Sequence, residues 1–317
     1  MHSLSHAGGK NDNVHRGLVE VTQDSITQAF RSWIARSGLL LLAVLLAGCS
    51  ALRLGYSNGE TVSYWWLNGY VDFESSQQPW VKKHIDNFFA WHRKTQLPDY
   101  AQLLGKAQQQ VQRPATEADA LAYYDAFRKR MLTVVDHVLP DLAELALSLQ
   151  PQQIAHLEGK FASNNENYRK EYLRGDVDQR QRNRFKKVMK QAEYWFGSFS
   201  SEQESQIRTL SDARPLDNEV GLEERVRRQE EMVAMLRRIH DEKPAKEAAM
   251  RMIRDYVDRS FNYFGDTRHK TFSDAATKAN AGMLAAIVNL ATPEQKAHAA
   301  RRLQQWIDDC HNLAARD

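Results

Sequence analysis

Three groupings of residues in this 317-residue chain could carry chemistry. The first is Gly55-Tyr56-Ser57-Asn58-Gly59, which fits the Gly-x-Ser-x-Gly pattern of a nucleophile elbow. That chemistry needs a buried strand before the serine, a helix after it, and a parallel sheet that delivers an acid and a histidine. Ala51-Leu52-Arg53-Leu54 precedes it and no alternation of strand and helix follows, so a turn is the expected role of Ser57. The second grouping is the aromatic-rich stretch 64–100, with Trp65, Trp66, Tyr70, Trp91 and His92 as its candidate binding surface. Trp and Tyr join a large apolar body to a polar tip, which suits interfaces and membrane boundaries. Trp80, His84, Phe88 and Trp91 fall on one helical face, so core packing is the competing and favoured role. The third is the basic run 169–190, in which nine Lys and Arg residues meet only Glu171, Asp176 and Asp178. Arg180, Arg184 and Lys187 are its candidate contacts for an anionic partner. A solvated helix face is the plainer reading of such a run.

What is missing narrows the chemistry further. His84 and His92 share a helix face but lie in neither His-x-x-x-His nor His-Glu-x-x-His, so no metal site is expected. There is no P-loop, Rossmann glycine pattern or kinase motif, so no cofactor and no catalytic residue is assigned. Forty-three Lys and Arg against 40 Asp and Glu leave +3, which gives no case for nucleic acid. Two cysteines exclude a disulfide scaffold. An enzyme would have to use an unrecognised site, around Ser57 or around Asp72 and His92.

Cys49 is the other residue with chemistry to do. Arg31 and Arg36 precede the unbroken apolar run Leu39–Ala47, followed by Gly48 and Cys49. Nine residues fall far short of the roughly 20 that span a bilayer. A basic flank, a short apolar stretch and small residues make a secretory signal. Leu46-Ala47-Gly48-Cys49 resembles the bacterial lipobox, which implies acylation of Cys49, cleavage before it and anchoring by several acyl chains at about 0.8 kcal/mol per buried CH₂. Ser50 stands where an Asp tends to hold such proteins in the inner membrane, so the resemblance implies the outer membrane, periplasmic face. Residues 31–48 are thus expected to be the signal peptide, and 1–30 a disordered leader or a start assigned too far upstream. Cys310 is then a lone thiol in a helical stretch, expected to be buried and inert.

The rest of the chain must supply the elements. Only ten glycines and eight prolines punctuate residues 49–317, too few for many short strands. Apolar stripes with a 3.6-residue period run through Phe185–Phe199, Leu222–Ile239, Ile253–Phe264 and Leu121–Val138, the last closed by Pro140. Helix starts look alike: Thr292-Pro293-Glu294-Gln295, Ser200-Ser201-Glu202-Gln203 and Gln150-Pro151-Gln152-Gln153 are capping boxes, with Pro244 a weaker start and Thr116–Asp119 a looser copy. The first helical positions 151, 201, 244 and 293 suit one helical hairpin per unit. Likeness between the units stops at the cap, which favours a bundle reusing good caps over true repeats. The predicted fold is all-α, an elongated helical-hairpin bundle or array, with an aromatic-rich helical region at 49–112 and a hairpin region at 113–317.

Two resemblances attach to these residues. The capping segments look like the Leu-Thr-x-x-Gln motif of the small Spy-type periplasmic chaperones, although no copy here reads Leu-Thr. Leu54–Ser57, Tyr64–Phe73 and Trp91–Tyr100 resemble an uncharacterised family of Gram-negative lipoproteins, a domain of unknown function. Together they imply a lipid-anchored helical protein with a non-enzymatic binding, scaffolding or chaperone-like role. The expected partners are the membrane, through Cys49, and an anionic envelope polymer or a protein client. An envelope hydrolase or transferase is the alternative.

Overall fold

Thr116, Asp176, Ser200, Asp217, Asp266 and Thr292 each accept a hydrogen bond from the backbone N–H three residues on, and at each a helix begins. Short side-chain oxygens are favoured there because they satisfy donors that the first turn leaves unpaired. The computed structural model describes residues 55–316, which belong to one compact unit. Cys49, the leader and the signal segment lie outside the described residues. Among the described residues the chain is all-α, with eleven α-helices and no strand.

In chain order these are α1 Gly59–Val71, α2 Gln78–Trp91, α3 Leu97–Gln110, α4 Glu117–Ser148, α5 Pro151–Tyr168 and α6 Val177–Phe196. They continue as α7 Ser201–Asp212, α8 Asn218–Glu242, α9 Lys246–Phe261, α10 Thr267–Leu290 and α11 Pro293–Ala314. A π turn at His92–Gln96 joins α2 to α3, and a second at Arg169–Leu173 extends α5. The helix expected to start at Pro244 starts two residues later, without a side-chain cap.

Three apolar clusters hold the helices together. Ile154 and Leu157 of α5, Val233, Leu236 and Ile239 of α8, and Ala249 and Ile253 of α9 close around Leu139, Ala143 and Ala146 of α4. The α6 stripe, from Phe185 to Phe196, packs with Ile207 of α7, Ile287 and Val288 of α10, and Ala299 and Leu303 of α11. Tyr64, Phe73, Val81, Ile85 and Phe89 join α1 to α2. Each buried aliphatic or aromatic side chain contributes about 1.5–3 kcal/mol.

Two expectations for α4 are corrected. The helix does not stop at Pro140 but runs on to Ser148. A proline inside a helix costs about 3 kcal/mol through the lost hydrogen bond and a clash. Here the next two turns bury Ala143 and Ala146 fully, and ion pairs from Asp136 to Arg254 and from Glu144 to Lys246 fasten α4 to α9 on both sides of the proline. Nor does the whole apolar stripe enter the core: Tyr124, Phe127 and Met131 are exposed.

The capping boxes turn out to be coupled. Gln153 Oε1 accepts the Gln150 N–H at 3.0 Å, and its Nε2 donates to Gln77 Oε1 at 2.7 Å and to the Asp72 carbonyl at 3.1 Å. Gln77 reciprocates, accepting the Glu74 N–H and donating to the Ser148 carbonyl and to Gln153 Oε1. The same clasp recurs between Gln203 and Gln295. Each accepts its own cap N–H, from Ser200 and Thr292, and donates to the carbonyl two residues before the other's cap, Leu290 and Ser198. The two amides also bond each other. The sequence spacing of 43–50 is therefore not the operative period, because the clasps pair 74–77 with 150–153 and 200–203 with 292–295. Glu74–Gln77 is a turn before α2, whose N-cap falls at Gln77 with no side-chain cap bond, so the sequence offers no capping box there. A buried residue directly before each of these four segments, Phe73, Leu149, Phe199 and Ala291, with Gln four residues after it, was the available signal.

Cys310 is 3% exposed. Burial, aided by the Asp309 carboxylate, pushes its thiol up to about 11. Only the thiolate is nucleophilic. In the folded protein Cys310 is expected to react with a small disulfide reagent about a hundredfold more slowly than in urea; equal rates would contradict this placement.

Candidate functional site

The basic candidates are brought together by α6. Its N-cap, Asp176, and Gly175 at φ +82° set the start of the helix. A Cβ on Gly175 would meet Gln179 at 3.1 Å, in a backbone region that glycine alone occupies readily. From this start, Arg180, Arg184 and Lys187 follow at i, i+4 and i+7 and share a face. With Lys186 they line a cavity of about 410 Å³, walled on the other side by Glu171 and Tyr172 of the π turn and by Leu216 and Asn218.

The cations differ in what holds them. Arg184 donates to the Pro215 carbonyl at 2.9 Å and to the Arg214 carbonyl at 3.2 Å, and burial lowers its pKa. Arg180 pairs with Glu219 at 3.2 Å. Lys187 donates to Glu171 and to the Tyr172 hydroxyl, both at 2.8 Å, and lies 4.1 Å from the centre of the Tyr172 ring. Those bonds raise the Lys187 pKa and lower that of Glu171. Lys186 is exposed and has no partner among the described residues. In the sequence Lys186 is one of the nine basic residues of 169–190, with nothing local to set it apart. Glu171 is the one carboxylate that lines the cavity, against four cations.

The aromatic candidates do not form one surface. Trp65 and Trp66 are 66% and 61% exposed, and Val62 shares their face of α1 at i, i+3 and i+4. Tyr70 lies against the Trp66 ring, with centres 4.8 Å apart, and bridges it to α5: its hydroxyl accepts from Asn164 at 2.8 Å and its ring contacts Phe161. Trp91 stacks on His137 at 3.6 Å, His84 meets Asp141 at 2.9 Å, and Trp80 donates to Glu144 at 2.9 Å. These three half-buried rungs dock one face of α2 on α4, while the buried face of α2 is that of Val81, Ile85 and Phe89. Asn164, which bonds Tyr70, lies eight residues before Tyr172 of the basic cavity, about 12 Å along α5 and the π turn that extends it.

His92 is bound by the Tyr56 hydroxyl at 2.9 Å, among the rings of Phe88 and Tyr100. Burial pushes His92 down to about 4 and Tyr56 up to about 12. His92 is therefore neutral in the folded state at pH values where it is protonated in the unfolded chain. Its contribution to stability is present above about pH 6.5 and is lost as the pH falls toward 4. Urea midpoints are expected to drop across that window in the native protein, and less so in His92→Gln; parallel curves would contradict the burial of a neutral imidazole.

The residues considered for catalysis are kept apart. Ser57 lies in a helical turn and its hydroxyl accepts from Arg316 at 3.0 Å. Asp72 caps the end of α1 while His92 follows the far end of α2, a helix of 14 residues, or about 20 Å. No group of three or more His, Cys, Asp or Glu side chains among the described residues is placed to hold a metal ion. No helix among them is long and apolar enough to cross a membrane.

No curated protein and no solved structure matches the chain. A family model does match, over residues 69–255. That span runs from the end of α1 into α9 and includes the whole basic cavity, while Trp65 and Trp66 precede it. With more than half of its residues matched, the chain belongs to the family of unknown function DUF6279.

Proposed function

We propose that this protein is an outer-membrane lipoprotein facing the periplasm, anchored by acyl chains on Cys49, and that it works by binding: the α6 cavity captures an anionic envelope polymer. The observation that carries the binding role is the cavity, where four cations converge and Lys186 has no partner among the described residues. Fixed cations around a concavity raise the local concentration of an anionic ligand and orient it. The anchoring role is supported by the sequence of Leu46–Cys49 and by the exposed Trp65 and Trp66. These follow Cys49 by no more than 17 residues; with the chain helical from Gly55 the reach is at most ~40 Å, which leaves the pair able to meet the headgroups. Catalysis has less support, since Ser57 is engaged by Arg316 and Asp72 is remote from His92.

A chaperone-like role is the second reading. Tyr124, Phe127 and Met131 stand exposed at i, i+3 and i+7 on α4, an apolar face that a partly unfolded client could cover. The capping boxes lend this reading little, because their glutamines are taken up in the clasps between helices.

The anchoring half is tested by mass spectrometry of the protein purified from its own cells, with membrane fractionation. The expected chain begins at an acylated Cys49 and sediments with the outer membrane, and Cys49→Ser does neither. An unmodified residue 49 with the leader still attached would remove the envelope assignment.

A further inference from the structure

A second cavity, of about 470 Å³, lies between α8, α10 and the turn that joins α9 to α10. That is within the range of small-molecule sites. Its apolar wall includes Phe161, Val220, Met232 and Phe272, and Ala276 leaves it open. Arg225 and Arg228 line it from one face of α8.

Both arginines are held by one edge. Arg225 Nε donates to Asn165 at 2.9 Å and Arg228 Nε to Glu224 at 2.7 Å. Their terminal nitrogens make no hydrogen bond among the described residues. Arg228 also lies 5.8 Å from the centre of the Tyr263 ring. Two guanidinium groups fixed in this way present the planar donor fork that suits a carboxylate or phosphate. The single carboxylate lining the cavity, Glu224, bonds Arg228 through Oε1, while its Oε2 is buried with no hydrogen-bond partner among the described residues.

The turn beside the cavity is strained. Tyr263 and Phe264 have φ of +52° and +50°, a region that bulky residues rarely occupy. The turn sets Tyr263 in the cavity wall, where its hydroxyl bonds Ser273. Such strain persists where the surroundings hold it, and it gathers at ligand sites.

We infer that this cavity is a binding site for an amphiphilic anion, with the head on Arg225 and Arg228 and the apolar tail against Phe161, Met232 and Phe272. The site is independent of the α6 cavity and of the anchoring of Cys49.

The test is isothermal titration of the full chain carrying Cys49→Ser, so that no acyl chain of its own competes. The probes are dodecyl phosphate and laurate below their micellar concentrations, with inorganic phosphate and dodecanol as controls. One molecule of dodecyl phosphate or laurate is expected per chain, the tighter of the two identifying the head group. Inorganic phosphate and dodecanol are expected to bind at least tenfold more weakly. Arg225→Gln with Arg228→Gln is expected to weaken the amphiphile at least tenfold. Ala276→Phe, which fills the cavity and leaves the Arg228–Glu224 bond in place, should do the same, whereas Ser205→Ala, an exposed site lining neither cavity, should bind the amphiphile as the parent does. The inference is overturned if neither amphiphile binds, or if both cavity variants bind as the parent does.

Discussion

Changing Gln153 to Glu lowers the stability of the folded protein by about 3 kcal/mol, the cost of leaving buried groups unsatisfied beside a new charge. The sign is the informative part. At the third position of an isolated helix, Glu serves a capping box as well as Gln does and suits the helix dipole better. Local rules therefore predict a neutral or stabilising change. In this fold Gln153 is 3% exposed, and its amide nitrogen serves the Asp72 carbonyl and Gln77 at once. A carboxylate cannot donate those bonds, and it faces Gln77 Oε1 at a distance set for a donor. Gln295→Glu should behave alike, because its amide donates to the Ser198 carbonyl and to Gln203. Urea unfolding with an unchanged m-value measures both. Midpoints at or above that of the native protein would mean that the glutamines act as simple caps.

The second large effect is on ligand capture. Lys186→Glu, in a protein of unchanged stability, lowers affinity for lipopolysaccharide about tenfold, or about 1.4 kcal/mol. Adding Lys187→Glu takes the loss to about a hundredfold, since that change also sets two carboxylates against each other at Glu171. Binding to the native protein weakens as salt rises from about 0.05 to 0.5 M, because the cavity is open to water and its charges are screened. Affinity that ignores both the substitutions and the salt would locate the ligand elsewhere.

The parts legible in the sequence are those fixed by local rules. Thr292, Ser200 and Thr116 announced helix starts because a cap acts within four residues, and Phe185–Phe196 announced its buried face because 3.6 residues make a turn. The gathering of Arg180, Arg184 and Lys187 on one face of α6 followed from the same geometry. Pro140 misled because a local penalty was outweighed by contacts with α8 and α9, more than ninety residues away. The coupling of Gln77 to Gln153 and of Gln203 to Gln295 was hidden because it joins segments 76 and 92 residues apart. Lys186 was hidden for a related reason. Its lack of a partner is decided by Glu171 and Glu219, which come from other segments and engage its neighbours instead.

Asn183 lines the α6 cavity beside these cations and offers the most direct test of what enters it. A photo-crosslinking side chain in place of Asn183, activated in intact cells, is predicted to capture an anionic polymer of the envelope, and to lose it when Lys186→Glu is added. Capture that persists undiminished with Lys186→Glu, or an adduct bearing no anionic group, would contradict the proposal that this cavity holds the ligand.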